Sequence, residues 1–235
     1  MEDGLVCGFG DLSAEMGGLA WDLGEPGALL LSEGAARAGT FAIEEGGDAA
    51  TVEITAGDAS LEATLSPVDA PLALSPDGPE VTACSAEMRP VSGKRTHRGS
   101  GQIARWGGDP LMGAATFRHL AIDAGGGALL VVGARGEPGA AGHGEERTSA
   151  WLLEGEDFRP FEEALISTQY DDEGQPTRFG LELWPVDAER TSRAAASRVS
   201  ASLLGAVRVD NARAGLFRCH TDGAEGLGSY LLWRA

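Results

Sequence analysis

Apolar and polar residues alternate with a period of two along much of the chain. Val52 and Ile54 alternate with polar neighbours in residues 51–55, and residues 61–65 repeat the pattern after the turn at residues 56–58. Successive side chains of a β-strand point to opposite faces, so this alternation predicts a β-hairpin. The same reasoning predicts strands at residues 116–123, 128–135, 164–170, 177–184, 207–209, 216–220 and 229–234, with glycine-rich residues 124–127 and residues 171–176 as hairpin turns.

Residues 187–204 are the one segment with helical character. Alanine and arginine favour a helix there, but the apolar face would bury little side-chain area and the serines disfavour helix. Helix and strand stay equally open for this segment. The many short strands joined by local hairpins predict an all-β, antiparallel barrel or sandwich architecture.

Charge divides the chain into two parts. Residues 1–86 carry 16 acidic side chains and a single basic one, Arg37, whereas residues 87–235 carry 20 acidic and 17 basic side chains. The proline-rich residues 66–79 can continue neither a helix nor a central strand. We therefore predict an acidic N-terminal β domain at residues 1–86, short for a complete barrel, and a C-terminal β domain at residues 87–235. The proline-rich segment is a boundary or a crossover connection.

The composition excludes several classes of partner. The formal net charge of −18 would repel nucleic acid and anionic membrane surfaces. The sequence contains neither a signal-like N-terminus nor an apolar run long enough to cross a bilayer, so we expect a cytoplasmic protein without membrane insertion. Cys7, Cys84 and Cys219 form no paired spacing and are expected to be free, buried thiols. The oligomeric state is left open.

No short motif identifies a cofactor or a metal site. The chain has no G-x-S-x-G nucleophile elbow, and its glycine clusters lack the strand-to-helix context of a phosphate loop. The four histidines, at positions 97, 119, 143 and 220, are too far apart to predict a zinc site. We expect neither a cofactor nor a metal.

Candidate site residues come from the faces of two strands. Phe179, Leu181 and Leu183 share one face of their strand and are predicted to be core, whereas Glu182 and Trp184 share the other. That second face, which also carries Arg178, either lines a ligand cavity or faces solvent, with Glu182 paired to Arg178.

A second group of candidates lies on the strand at residues 116–123 and before it. His119 shares a face with Phe117 and is either a buried structural histidine or a proton-transfer residue. Arg105, Trp106 and Asp109 at the end of another strand form either a pocket mouth or a capped loop.

From about residue 99 the chain resembles a known family. The similar stretches are RWGGD at residues 105–109, GHGEE at 142–146, AWLL at 150–153, LISTQY at 165–170, GLELW at 180–184 and GLGSY at 226–230. They resemble bacterial proteins related to hydroxyneurosporene synthase (carotenoid 1,2-hydratase) and the double-lipocalin group around it. Where members commonly have a histidine-serine-tryptophan-glycine sequence, this chain has ARWG at residues 104–107.

The resemblance implies two lipocalin-like antiparallel β-barrels or curved sheets packed together, with a small hydrophobic, isoprenoid- or lipid-like molecule bound in a barrel lumen or an interdomain cleft. An alternative that it implies is a hydratase or cyclase that uses acid-base chemistry without a redox cofactor. The predicted binding residues are Arg105, Trp106, Tyr170 and Trp184, and the predicted catalytic residues are Asp109, Glu182 and His119.

Overall fold

The structure is a computed structural model that describes residues 4–74, 78–91, 93, 95–138, 145–155, 157–186, 197–221 and 223–234. Within these residues it is built almost entirely from β-strands in two packed barrels. None of the helical segments in these ranges has the length and apolar character that a bilayer-spanning helix requires.

The first barrel is a closed ring of eight antiparallel strands. The strands follow one another in chain order around the ring. The pairing of the strand at residues 59–67 with the strand at residues 80–90 closes it. A short 3-10 helix, Leu12–Ala14, follows the first strand, and a two-residue strand attaches to the edge of the eighth. The elements are β1 (Gly4–Asp11), β2 (Met16–Asp22), β3 (Pro26–Ser32), β4 (Ala35–Gly46), β5 (Ala49–Ala56), β6 (Ala59–Pro67), β7 (Leu72–Ala73), β8 (Glu80–Pro90) and β9 (His97–Trp106).

The second barrel is a closed up-and-down ring of eight antiparallel strands, in which the first strand pairs with the last. The glycines at residues 125–127 all have positive φ angles in the β10–β11 turn, as the sequence predicts. Its strands are β10 (Thr116–Gly125), β11 (Ala128–Gly136), β12 (Arg147–Glu154), β13 (Asp157–Tyr170), β14 (Pro176–Pro185), β15 (Ser197–Val209), β16 (Ala212–Thr221) and β17 (Ala224–Arg234).

Alternating side chains produce three hydrophobic cores. One fills the interior of the first barrel, a second fills the interior of the other, and a third lies between the two. The strands β1, β2 and β3 of the first barrel contribute to both its interior and the core between the barrels. This explains why β2 (MGGLAWD) and β3 (PGALLLS) are apolar on both faces, as is usual for strands covered on both sides.

Small residues let the two barrels approach closely. A Cβ atom added at Gly10 of β1 would lie 2.3 Å from the Leu227 side chain of β17. The same Cβ atom would lie 2.7 Å from the Met16 carbonyl oxygen of β2, so a larger residue would force Leu227 and the backbone of β2 to shift. The glycine therefore permits β1 to pack closely against β17.

The structure corrects the predicted division of the chain. The boundary at residue 86 falls inside β8, and β8 and β9 both belong to the first barrel. The first barrel is therefore complete, and the chain passes to the second barrel between Trp106 and Thr116. The proline-rich segment is neither a domain boundary nor a crossover, because it connects β6 and β8, which are antiparallel neighbours in the first barrel. In the ambiguous segment, residues 197–204 form a strand, and residues 187–196 lie outside the described residues.

A polar network crosses one end of the second barrel's interior. Arg118 is fully buried, and its Nη2 lies 2.7 Å from Oε2 of Glu146, whose side chain is 3% exposed. Arg118 Nε donates a hydrogen bond to Oε1 of the same carboxylate, and its Nη1 donates one to Thr168 Oγ1. Removal of one partner would leave the other charge buried and uncompensated.

We expect Glu146→Ala to lower the free energy of unfolding by about 3–5 kcal/mol, because it strands the Arg118 guanidinium inside the barrel. The double variant Arg118→Met/Glu146→Leu removes both charges and should recover most of that loss. Urea denaturation measures both. The exposed pair Arg159–Glu154 supplies the control, since Glu154→Ala should cost less than about 1 kcal/mol. A double variant as unstable as Glu146→Ala would contradict the interpretation.

Candidate functional site

A cavity of about 300 Å³ lies between the two barrels, at the size where ligand pockets begin. One wall is the outer face of β10, β11 and β12, and the other comes from Trp106 at the end of β9, from Gly78 and Pro79 before β8, and from the segment that joins the barrels. Arg147, Ser149, Glu137 and Met112 are exposed lining residues, so they mark the opening to solvent.

His119 lies in the buried part of this cavity. It shares the outer face of β10 with Phe117, as the sequence predicts, and Arg118 points the opposite way into the barrel. The imidazole ring makes an edge contact with the Trp106 ring, with centroids 5.6 Å apart. Trp106 also makes an edge contact with Phe117, with centroids 5.7 Å apart, so these three rings form one aromatic wall.

Burial controls the charge of His119. The residue is 1% exposed, and this burial lowers the pKa of its imidazole from 6.5 to about 4. The ring is therefore neutral at physiological pH. Its Nε2 is buried without a hydrogen-bond partner among the described residues, and so is Trp106 Nε1. Two unpartnered polar atoms thus lie beneath the surface of the aromatic wall, shielded from solvent.

The segment between the barrels, residues 107–115, covers the cavity. Its turn is fixed by Asp109, whose Oδ1 accepts a hydrogen bond from the Leu111 backbone amide at 2.8 Å. Arg135 of β11 donates from Nε to the Pro110 carbonyl at 3.0 Å and lies over the Phe117 ring. Asp109 is exposed and does not line the cavity, so its position is that of the capped loop that the sequence left open.

Two further candidates, Glu182 and Trp184, lie on the outer face of β14, away from the cavity. Glu182 pairs with Arg198 of β15, 4.0 Å from Arg198 Nε, and not with Arg178 as the sequence predicts. The Glu182 side chain is 48% exposed. The opposite face, with Phe179, Leu181 and Leu183, is buried in the barrel interior as predicted.

The remaining two candidates face the barrel interiors. Arg105 forms an ion pair with Glu45 at the first barrel, close to the buried Cys7 and Cys84 thiols. Tyr170 lies at one end of the second barrel, with its hydroxyl 3.4 Å from that of Tyr230. The structure therefore brings Trp106 and His119 together and leaves the other five predicted residues elsewhere.

Several cavity residues were not singled out from the sequence, among them Gly133, Arg135, Ser149 and Trp151. The available signal was the predicted β10–β11 hairpin, because residues on the strand opposite His119 must share its face. Among the described residues, no group of three or more His, Cys, Asp and Glu side chains is placed to hold a metal ion. His143 lies outside the described residues.

The low pKa of His119 makes stability depend on pH. Between pH 6.5 and about 4 the unfolded chain binds a proton at this histidine and the folded chain does not, so stability falls as pH falls. The loss attributable to His119 is about 3 kcal/mol across this window. Urea denaturation measures the free energy of unfolding at about pH 7 and at about pH 4.5. We expect the decrease between these two pH values to be smaller in His119→Phe than in the wild type, because the variant has no histidine to protonate on unfolding. Identical pH profiles would contradict a buried neutral imidazole.

Comparison with solved structures finds the same fold. A provisionally assigned AttH from Nitrosomonas europaea matches with a TM-score of 0.71 at 10% identity, covering 99% of this chain and 92% of that one. Kievitone hydratase from Nectria haematococca matches with a TM-score of 0.66 at 10% identity, covering 99% and 88%. CghA with Sch210972 matches with a TM-score of 0.59 at 9% identity, covering 99% and 88%. No protein-family model and no curated protein matches the sequence. The chain shares its fold, two packed β-barrels, with these solved structures, and this is the fold that the sequence resemblance implies.

Proposed function

We propose that the cavity between the barrels binds a small, largely apolar molecule. The single observation that carries this proposal is the combination of empty space with an aromatic wall, made by Trp106, Phe117 and His119 at the contact of the two barrels. Removal of apolar surface from water lowers the free energy, and the flat aromatic rings provide a large contact area for an apolar molecule. Buried apolar side chains of the described residues occupy both barrel interiors, whereas the cavity lined by the aromatic wall lies in the cleft, so the cleft is the better of the two predicted places for a ligand.

The unpartnered polar atoms of the wall support selectivity within this site. His119 Nε2 and Trp106 Nε1 are shielded from solvent, so each forms a hydrogen bond with a bound molecule only when its ring turns towards the cavity. Such a hydrogen bond would remove the cost of leaving these atoms unsatisfied. The preferred ligand therefore carries an apolar body with a hydrogen-bonding group that reaches the aromatic wall.

A second candidate function is cofactor-independent hydration. The observation in its favour is the unpartnered Nε2 of His119 in the cavity wall, which could accept a proton from a water molecule once the imidazole ring turns towards the cavity. In such a step the water O–H bond breaks, a C–O bond forms at a polarised alkene, and the electron pair moves to the activating group of the substrate. Kievitone hydratase, one of the structural neighbours, is named as a hydratase.

Filling the cavity tests the binding proposal. A Cβ atom at Gly133 meets no atom within 4 Å, so Gly133→Val should fold normally while its side chain projects into the space for the ligand. We expect its affinity for lauryl alcohol to fall at least tenfold relative to the wild type. Tryptophan fluorescence quenching and native mass spectrometry provide the measurement, within a wider panel of terpenoids, fatty alcohols and fatty acids.

Gly46→Val is the matched control. Gly46 ends β4, far from the cavity, and a Cβ atom there also meets no atom within 4 Å. This variant should bind lauryl alcohol as the wild type does. If no member of the panel is retained or stabilises the wild-type protein, the binding proposal fails.

The hydration candidate has a separate test. Alkenes whose double bond is polarised by a conjugated ester or amide carbonyl are incubated with the protein in water enriched in heavy oxygen, and the products are analysed by mass spectrometry. We expect a labelled alcohol with the wild type and at least a hundredfold less with His119→Phe, which lacks the proton acceptor. Equal amounts of labelled alcohol with the wild type and the variant would exclude His119 as the base. If no labelled alcohol forms from any alkene of the panel, hydration of these compounds is excluded.

A further inference from the structure

The register of the strands arranges the cavity floor as a grid of three rows. Each row contains one residue from β10, one from β11 and one from β12, all on the outer face of the second barrel. The middle row is His119, Gly133 and Ser149. The rows on either side are Phe117 with Arg135 and Arg147, and Ala121 with Val131 and Trp151.

Gly133 lies at the centre of this grid and leaves the floor bare. Its neighbours across the strands, His119 and Ser149, and along the strand, Val131 and Arg135, all carry side chains. Adjacent strands are about 4.8 Å apart, so the depression over Gly133 is about two strand spacings wide between His119 and Ser149. An apolar chain or ring lies flat in such a depression, between the side chains that surround it.

Arg135 provides a positive charge at the edge of this depression. It is two residues from Gly133 on the same face of β11, which places it about 7 Å from the bare centre. Its Nε–H is taken by the Pro110 carbonyl, and its guanidinium lies 6.0 Å from the Phe117 ring centroid. Within the described residues, no carboxylate lies at ion-pair distance from this guanidinium, although the chain has a net charge of −18. The terminal nitrogens remain as donors for an acceptor in the cavity.

The other charges at the opening do not compete for this role. Arg147 is exposed and lies 3.8 Å from Glu137, so those two side chains neutralise each other. Glu137 is the one carboxylate among the described lining residues. Arg135 is partly buried and already held in place by a backbone carbonyl and an aromatic ring. It therefore loses little further conformational freedom when it binds an anion.

We propose that the cavity is selective for an apolar molecule that bears a carboxylate, with the apolar body over Gly133 and the carboxylate on the terminal nitrogens of Arg135. This inference rests on the proposed function and specifies its ligand class. Charge-assisted hydrogen bonds from a planar guanidinium to a carboxylate are shorter and stronger than those to a neutral hydroxyl. The site therefore discriminates an acid from the alcohol of the same chain length.

The test compares lauric acid with lauryl alcohol, which share the same apolar chain. Tryptophan fluorescence and isothermal titration calorimetry measure the dissociation constant of each compound at about pH 7.5 in the full-length protein. We expect the wild type to bind lauric acid about tenfold more tightly than lauryl alcohol. In Arg135→Gln the two dissociation constants should become equal within about twofold, and Arg135→Lys should keep part of the preference. The exposed Arg178→Gln on the outer face of β14 should behave as the wild type.

The ratio of the two constants separates the possible failures. A distorted cavity in Arg135→Gln lowers affinity for both compounds and leaves their ratio near tenfold, which would overturn the role of Arg135. Equal binding of both compounds by the wild type would overturn the selectivity while the binding function stands. Binding of neither compound would overturn the inference together with the proposed function.

Discussion

The hydrophobic core between the two barrels is the interaction on which the site depends. Each barrel already has a filled interior, so the outer faces of β1–β3 and of β16 and β17 would be unusually apolar surfaces on isolated barrels. Leu19, Trp21 and Leu31 from one side and Leu216 and Leu231 from the other are each at most 1% exposed. This burial fixes the barrels against each other, and the cavity is the part of the contact that side chains leave unfilled.

The size of a cavity between two barrels can change with less effect on the barrel cores than the size of a cavity inside one barrel. A lumen is lined by every second residue of all its strands, so enlarging it disturbs the whole core. Here the cavity is opened by one glycine on the outer face of β11 and by the path of residues 107–115. Each barrel has an interior core that does not line the cavity, such as Phe179, Phe217 and Tyr230 in the second barrel. Exposed lining residues such as Ser149 can therefore vary with little effect on folding, whereas Phe117 and Val131 also belong to the core between the barrels.

Alternation in the sequence predicts strands where one face meets the barrel interior and the other meets solvent. The strands at residues 51–55 and 61–65 are of this type, and both are confirmed. β2 and β3 are covered on both faces by tertiary contacts, so their sequences carry no alternation and gave no legible pattern. Tertiary structure also explains why the predicted boundary at residue 86 is wrong. Charge content reflects exposure to solvent, and β8 belongs to the first barrel although the charge content changes within it.

Predicting the site needed information that the sequence carries only weakly. Alternation correctly placed Glu182 and Trp184 on one face of β14, but it could not say that this face points away from the other barrel. The partner of His119 depends on a register shift between Asp123 and Gly125, which sets Gly133 opposite it. A one-residue error in that register would exchange the two faces of β11. Trp106 and His119 were identifiable because each combines aromatic or titratable chemistry with a strand position.

The charge state of the cavity decides which of the two candidate functions is the stronger. Protonation of an unactivated alkene needs a strong acid near the bound double bond, and Glu137, exposed and paired with Arg147, is the one carboxylate among the described lining residues. Addition of water to a polarised alkene needs a base instead, and His119 is placed for it. A base works best when its pKa is near the working pH, however, and burial holds the pKa of His119 near 4. The same burial makes His119 a good neutral hydrogen-bonding group for a ligand, so the geometry supports binding first and catalysis second.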